Sequence, residues 1–304
     1  MTAPTRLVAF AVVLTLLFGV AVAAGSAFGP DRDGDRAAAP HEDDHPNAGT
    51  EAHAPEPAGG AAPDADAVRG LAVSHDGLTL SLRETDLPRG RPAVLTFSVD
   101  GPDGRPVRDF ELEHERRMHL IVVRRDGHGF QHLHPELGED GRWRTTLTVP
   151  DPGAYRVFAD FSRDGEARTL AADLVVDGPA DYQPLPPATA TTTTDDGYTV
   201  ALAGGQTRAG QDAELRFTVT RDGRTVYTEP YLGAGGHLVA LREGDLAYLH
   251  VHPGGHGDDE DAETHDDAVA FVSTFPSEGR YRLYLQFKHD GRVHTAAFTR
   301  EVVR

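Results

Sequence analysis

The stretch that decides the fold is HLIVVRRDGHGFQHLHP at residues 119–135, together with HLVALREGDLAYLHVHP at residues 237–253. Each begins with a run of apolar residues and continues through a turn dipeptide, Asp-Gly or Gly-Asp. Each then places an aromatic residue two positions before His-x-His-Pro. Short β-rich runs on both sides of such a dipeptide predict a β-hairpin. The same hairpin is therefore expected twice in the chain.

The repetition extends beyond the hairpins. Further corresponding segments are DGLTLSL (76–82) and DGYTVAL (196–202), VLTFSVDGPDGRPV (94–107) and ELRFTVTRDGRTV (214–226), and PDPGAYRVFADFSRDG (150–165) and PSEGRYRLYLQFKHDG (276–291). About seven short strands in about 110 residues, without a helical period, are typical of an antiparallel β-sandwich of the immunoglobulin-like or cupredoxin-like kind. We predict an all-β protein with tandem sandwiches at 68–179 and 190–304, joined by a Pro- and Thr-rich linker at 180–189. Tyr155 and Tyr281 are expected to be structural residues at a sandwich corner.

The N-terminal part does not have the pattern of a folded domain. Residues 1–28 contain an apolar run, residues 7–24, that ends in the small residues AVAA. This run predicts either a cleaved signal peptide or a membrane anchor, and both place the sandwiches outside the cytoplasm. Residues 29–67 are rich in Ala, Pro, Gly, Asp and Glu and predict a disordered acidic linker.

Composition limits the chemistry. The net charge of −19 argues against nucleic acid as a partner, because affinity for phosphates comes from Lys and Arg. The chain has no cysteine, which excludes disulfides, thiolate metal sites, iron–sulfur clusters and cysteine nucleophiles. Any metal ion must therefore be held by His, carboxylate, Met or backbone groups.

The first hairpin gathers three histidines. Pairing across a two-residue Asp126-Gly127 turn places His119 opposite His134, with His132 on the same face. Side chains at such positions are about 5–8 Å apart, which allows three imidazoles to close on one ion.

The second hairpin repeats this arrangement. Pairing across its Gly-Asp turn places His237 opposite His252, with His250 on the same face. We therefore expect one transition-metal ion in each repeat. Copper is favoured because imidazole ligands suit it and its affinity is high, and zinc is the alternative. Binding requires deprotonated imidazoles, so it should weaken below about pH 6.

Other interpretations of these residues stay open. The histidines are equally compatible with backbone hydrogen bonding at a strand end, and a one-residue slip in pairing would separate His119 from the others. Both hairpin faces are apolar, so the sequence does not tell which face is core. Met118 is expected in the core, and His114 is either a fourth ligand or a surface residue. The acidic insertion at 254–268 is either an exposed loop or a weak cation trap.

The paired HL…HxHP copies behind an N-terminal apolar segment resemble a group of bacterial extracytoplasmic proteins with tandem immunoglobulin-like or cupredoxin-like sandwiches. That group is often linked with copper handling. The resemblance implies a secreted or membrane-anchored copper-binding protein that buffers, delivers or senses the metal. The chain departs from blue-copper cupredoxins, because without a cysteine ligand it has no type 1 copper centre.

The expected function is therefore non-enzymatic binding of a metal ion outside the cytoplasm, with no nucleic-acid partner and with any protein partner left unidentified. The candidate ligands are His119, His132, His134, His237, His250 and His252. Two alternatives stay open. One is an enzyme in which a three-His metal activates water or oxygen, with Glu113, Glu115 or His114 as the local base. The other is a cell-surface interaction or adhesion module without metal.

Overall fold

The fold is all-β, as predicted. A computed structural model describes residues 68–253 and 268–304, with the backbone alone described at positions 250, 252 and 253. The expected N-terminal segment at 1–28, the linker at 29–67 and nearly all of the insertion lie outside these residues. Within the described residues no helix is long and apolar enough to cross a membrane.

The first repeat forms ten strands in two sheets. The strands are β1 Ser74–His75, β2 Leu78–Leu82, β3 Asp86–Leu87, β4 Pro92–Asp100, β5 His119–Arg124, β6 Gln131–Leu133, β7 Glu136–Leu137, β8 Trp143–Thr148, β9 Gly153–Arg163 and β10 Glu166–Val176. One sheet has the order β1-β2-β4-β8-β7 and the other the order β3-β10-β9-β5-β6. Two sheets of this kind enclosing one apolar core make a β-sandwich.

The second repeat has the same plan. Its strands are β11 Thr191–Thr193, β12 Tyr198–Ala203, β13 Thr207–Arg208, β14 Asp212–Arg221, β15 Arg224–Thr225, β16 His237–Arg242, β17 Tyr248–His250, β18 His252–Pro253, β19 Val269–Thr274, β20 Gly279–His289 and β21 Arg292–Val303. The sheet orders are β11-β12-β14-β19-β18, with β15 paired to β14, and β13-β21-β20-β16-β17. The tandem-sandwich prediction is thus confirmed.

The sandwiches have a corner typical of immunoglobulin-like domains. The Tyr155 hydroxyl donates to the carbonyl of Asp151 at 2.9 Å, and the Tyr281 hydroxyl donates to the carbonyl of Ser277 at 3.0 Å. A tyrosine bonded in this way to backbone just upstream fixes the turn into a late strand. Both tyrosines are fully buried, as expected for structural residues.

The predicted register of the first hairpin holds, but its predicted turn is wrong. Ile121 lies opposite His132. The loop is longer than two residues, because the Arg124 amide donates to the carbonyl of His128 at 2.8 Å. The Asp126 carboxylate accepts bonds from the Arg124 guanidinium, at 2.8 and 2.7 Å, and from the His128 amide at 3.2 Å. These bonds hold Asp126 within a loop that is longer than a two-residue turn.

Strand β5 is buried on both faces, and this explains its continuous apolar run. Leu120 and Val122 belong to the core of the first sandwich, whereas Ile121 and Val123 belong to a separate cluster. In β16 the corresponding outward residue Val239 belongs to that same cluster. The outer faces of the two hairpin sheets therefore pack against each other.

This shared cluster joins the repeats. Its nine buried members are Ile121, Val123, Phe158, Ala171, Val239, Leu241, Leu246, Tyr248 and Tyr284. Both sandwiches belong to one compact unit of the chain. Because His132 lies opposite Ile121, the histidine face of the first hairpin is the face that meets the second repeat.

Candidate metal centre

His119 is the most buried histidine of the centre. It begins β5, and its side chain is 2% exposed. Its Nε2 lies 3.0 Å from the backbone carbonyl oxygen of Glu113. A carbonyl only accepts, so in this bond Nε2 carries the hydrogen and donates it. The neutral His119 ring therefore has its lone pair on Nδ1.

His132 faces His119 from the neighbouring strand β6. Its Nε2 lies 3.0 Å from Nδ1 of His119, and its Nδ1 lies 2.6 Å from the Oε1 of Gln286 in β20. An amide oxygen accepts, so Nδ1 of His132 carries the hydrogen in this arrangement. Two nitrogen lone pairs, one from each ring, then face each other at 3.0 Å. With the Gln286 amide turned over, Nε2 of His132 would instead donate a hydrogen bond to Nδ1 of His119 at this distance.

His134 completes the group at the point where the chain leaves the sheet. Strand β6 ends at Leu133, and β7 joins the opposite sheet of the same sandwich. Pro135 lies at this crossing and has no amide hydrogen to continue the ladder. Among the described residues, the buried Nε2 of His134 has no hydrogen-bond partner. Nitrogen atoms of His119, His132 and His134 all lie within 4.8 Å of one another.

Burial keeps two of these rings neutral. It lowers the pKa of His132 to about 3, with the neighbouring His119 and His134 adding to the effect. It also lowers the pKa of His134 to about 4, together with His119 and Arg116. Metals bind the deprotonated ring, so both side chains are in the binding form at neutral pH. Proton competition at these two rings is therefore expected at lower pH than the value near 6 that their ordinary pKa implies.

His237 of the second repeat lies against the same group. It begins β16 and is 8% exposed. Its ring centroid is 4.9 Å from that of His132 and 5.6 Å from that of His119, to which its plane is inclined by only 7°. The sequence placed His237 in a separate site of the second repeat, whereas the structure brings it to the histidines of the first.

A buried carboxylate borders the centre. Asp160 is the backbone partner of His119 on β9 and is 5% exposed. It accepts hydrogen bonds from the hydroxyl of Thr169 at 2.6 Å and from that of Tyr248, in the second repeat, at 3.1 Å. Burial raises the pKa of Tyr248 well above its ordinary value, and the neighbouring Asp160 adds to this effect. The carboxylate would offset the charge of a bound cation.

The remaining predicted ligands, His250 and His252, lie on strands of two different sheets. Val239 pairs with His250, as the predicted register requires. The expected pairing of His237 with His252 is wrong, because β18 leaves the hairpin and pairs His252 with Val272 in the opposite sheet. The reason is the buried Val251, which belongs to the core of the second sandwich and marks the crossing between sheets. The side chains of His250 and His252 lie outside the described part of the chain.

The weaker candidates also have defined places. Met118 is 1% exposed in the first core, as expected. His114 lies in a tight turn at the edge of the centre, with its ring centroid 5.8 Å from that of His237 and 6.2 Å from that of His119. The insertion, apart from its last residue, lies outside the described residues.

Sequence reasoning missed Asp160 and Gln286, although a signal was present. Both occupy the same position in the two repeats, directly before the last Phe of VFADF (157–161) and LYLQF (283–287). Each is the backbone partner of the first histidine in its own repeat, His119 or His237. A polar residue that is buried at the same position in both repeats indicates a specific partner across that face.

Comparison with known families identifies both repeats. A family model described as a domain of unknown function, DUF8832, matches residues 72–178 and again residues 191–304. The chain belongs to this family. Each DUF8832 match spans one sandwich, with His119 in the first and His237 in the second. No curated protein matches the chain.

Solved structures that resemble this DUF8832 protein include two distant ones. The Escherichia coli adhesin FdeC is 13% identical, with 77% of this chain and 66% of the adhesin covered and a TM-score of 0.25. A Salmonella alpha-2-macroglobulin mutant is 15% identical, with 78% and 15% covered and a TM-score of 0.26. The chain thus spans less than two thirds of either structure's length. TM-scores this low do not establish a shared fold, and the sandwich assignment comes from the strands themselves.

Proposed function

We propose that this protein binds a transition-metal ion outside the cytoplasm, with copper favoured and zinc as the alternative, and that it buffers, delivers or senses the metal without catalysing a reaction. The N-terminal apolar segment, as signal peptide or anchor, supports the location. The histidine-only ligand set supports copper, because imidazole suits Cu(II) and Cu(II) leads the affinity order of the divalent first-row metals.

The observation that carries the proposal is the arrangement of three ring nitrogens. With the Gln286 oxygen towards Nδ1 of His132, the hydrogens on His119 and His132 are directed away from the pair, towards Glu113 and Gln286. Their lone pairs face each other at 3.0 Å, and the unpartnered Nε2 of His134 lies in the same group of nitrogens. In a tetrahedral centre with metal–nitrogen bonds of about 2.0 Å, ligand nitrogens are about 3.3 Å apart. The three ring nitrogens, all within 4.8 Å of one another, are thus close enough for one ion to bind all three.

The test is a titration of the metal-stripped full chain with Cu(II) and, separately, with Zn(II). Free metal at about a hundredfold excess over Kd should stabilise the protein by about 2.7 kcal/mol. The variant His132→Ala should lose this stabilisation, whereas the exposed-histidine variant His75→Ala should keep it. A variant lacking His256 and His265 separates this centre from weak binding by the acidic insertion.

Equal stabilisation of the wild type and His132→Ala would refute the proposal. The three histidines would then be a packing feature, and a metal-free interaction module would be the better account of the chain. The metal that gives the larger shift at equal free concentration identifies the preferred ion.

A further inference from the structure

The second repeat places two side chains at a centre whose other members belong to the first repeat. Gln286 is 6% exposed, and its Oε1 lies 2.6 Å from Nδ1 of His132. The ring of His237 lies beside the rings of His132 and His119. Both side chains project from the sheet face that packs against the first repeat.

We propose that the metal centre is a composite of both repeats, in which His237 supplies a fourth imidazole and Gln286 positions His132. This inference rests on the proposed function, that is, on metal binding by the histidines of the first repeat. It replaces two independent sites with a centre shared across the interface. The ligand class is a cation that accepts four imidazoles, which tetrahedral zinc and copper centres both do.

The ring spacing supports His237 as the fourth ligand. In a tetrahedral four-imidazole centre with bonds of about 2.0 Å, ring centroids are about 5 Å apart. The three rings of the first repeat are separated by 5.2, 5.2 and 4.8 Å. The ring of His237 is 4.9 Å from that of His132 and 5.6 Å from that of His119, which is close to this spacing for both rings.

A small movement of His237 completes the set. The nitrogens within 4.8 Å of one another are those of His119, His132 and His134. His237 must therefore rotate about its side-chain bonds to bring a nitrogen to the fourth position.

Gln286 acts through His132 and is a positioning residue. Metal-bound histidines usually donate their second ring hydrogen to a carboxylate or carbonyl, which fixes the tautomer and the ring orientation. With its oxygen towards Nδ1, Gln286 leaves the Nε2 lone pair of His132 for the ion. Turning the amide over would let its NH₂ group donate to Nδ1. His132 would then donate from Nε2 to His119, an arrangement that suits the metal-free protein.

This switch makes the substitution Gln286→Glu informative. An ionised carboxylate only accepts, so it must take the hydrogen of Nδ1 and keep Nε2 free for the metal. The variant Gln286→Leu provides no acceptor and removes the positioning contact. Metal affinity should therefore fall in Gln286→Leu and return in Gln286→Glu.

The experiment measures the Kd for Zn(II) of the full chain by competition with a chromophoric chelator, for the wild type and variants. We expect His237→Ala and Gln286→Leu each to weaken binding about 10- to 100-fold, and Gln286→Glu to bind at least as tightly as the wild type. X-ray absorption of the singly loaded protein should show four imidazoles in the wild type and three in His237→Ala. Matched controls are the exposed residues of the same types, His75→Ala and Gln211→Leu.

The outcomes separate this inference from the proposed function. Loss of binding in His132→Ala with unchanged binding in His237→Ala and Gln286→Leu would overturn the composite centre and leave a site within the first repeat. Equal binding in the wild type and His132→Ala would overturn both. Circular dichroism of each metal-free variant shows whether it is folded. Because Gln286→Glu keeps the shape of the side chain, its affinity remains decisive even where His237→Ala is unstable.

Discussion

Acid should destabilise the metal-free protein at a pH well above the range in which carboxylates titrate. His132 and His134 have pKa values of about 3 and about 4 in the folded protein, against an ordinary value of 6.5. Below pH 6.5 the unfolded chain therefore takes up protons at these two positions while the folded chain does not. The contribution of these two rings to the free energy of unfolding is fully present above pH 6.5. It is lost as the pH falls towards their pKa values in the folded protein.

The magnitude follows from these shifts. Each pH unit below 6.5 costs about 1.4 kcal/mol per group, so at about pH 5 each ring costs about 2 kcal/mol. The two rings together give an upper value of about 4 kcal/mol. Both are only partly buried, and solvent screening reduces this to about 2 kcal/mol. At Asp126 burial raises the pKa of the carboxyl, but the bonds from Arg124, Gln183 and His128 together lower it below 3.8, so this group titrates below the window.

Urea unfolding at about pH 7 and about pH 5 measures the effect. The single tryptophan, Trp143, is 3% exposed in the first sandwich and reports on the repeat that carries both rings. The double variant His132→Asn/His134→Asn should have a nearly flat pH profile, because Asn does not titrate. The variant His75→Asn, with a side chain 65% exposed, should behave as the wild type. A wild type that loses less than about 0.5 kcal/mol, or a double variant that loses as much as the wild type, would refute the reasoning.

Two further predictions concern the interface between the repeats. Gly70→Ala should destabilise the protein by about 1–3 kcal/mol more than Gly165→Ala, measured by urea unfolding. Both glycines have positive φ, +69° and +74°, but only at Gly70 would the new Cβ meet Phe158 at 2.7 Å and Tyr248 at 2.9 Å. Tyr248→Phe should cost about 1–3 kcal/mol, because it leaves the buried carboxylate of Asp160 without one donor. Equal effects of the two glycine variants, or an unchanged unfolding midpoint for Tyr248→Phe, would contradict the packing described for this face.

The sequence predicted the sandwiches because their signals are local. Alternation and Asp-Gly pairs are properties of a few adjacent residues, and Asp76, Asp164, Asp222 and Asp290 all have the positive φ of hairpin turns. The register at Ile121 and His132 was predictable for the same reason. The loop at Asp126 was not predictable from adjacent residues alone. Its Asp126 carboxylate also accepts a hydrogen bond, at 2.9 Å, from the backbone amide of Gln183, which lies far along the chain.

The meeting of the two repeats was not predictable from periodicity. Alternation tells which residues share a face. Where a strand is apolar on both faces, however, the pattern does not tell what packs against the second face. Strand β5 has this property, and its second face packs against the other repeat through Ile121 and Val123. His237 reaches the first repeat's histidines only through this packing, so treating each hairpin as an independent unit assigned it to a separate site.

The interface between the repeats combines a mainly apolar face with buried histidines. Ile121, Val239 and Tyr284 show that the face is built mainly from apolar side chains. Burying a charged imidazole in such an interface costs free energy, so these rings are held in the neutral form. His132 and His134 carry lowered pKa values, and this cost grows as the pH falls. A metal ion bound as proposed would offset this cost, because it binds the neutral imidazoles that burial favours.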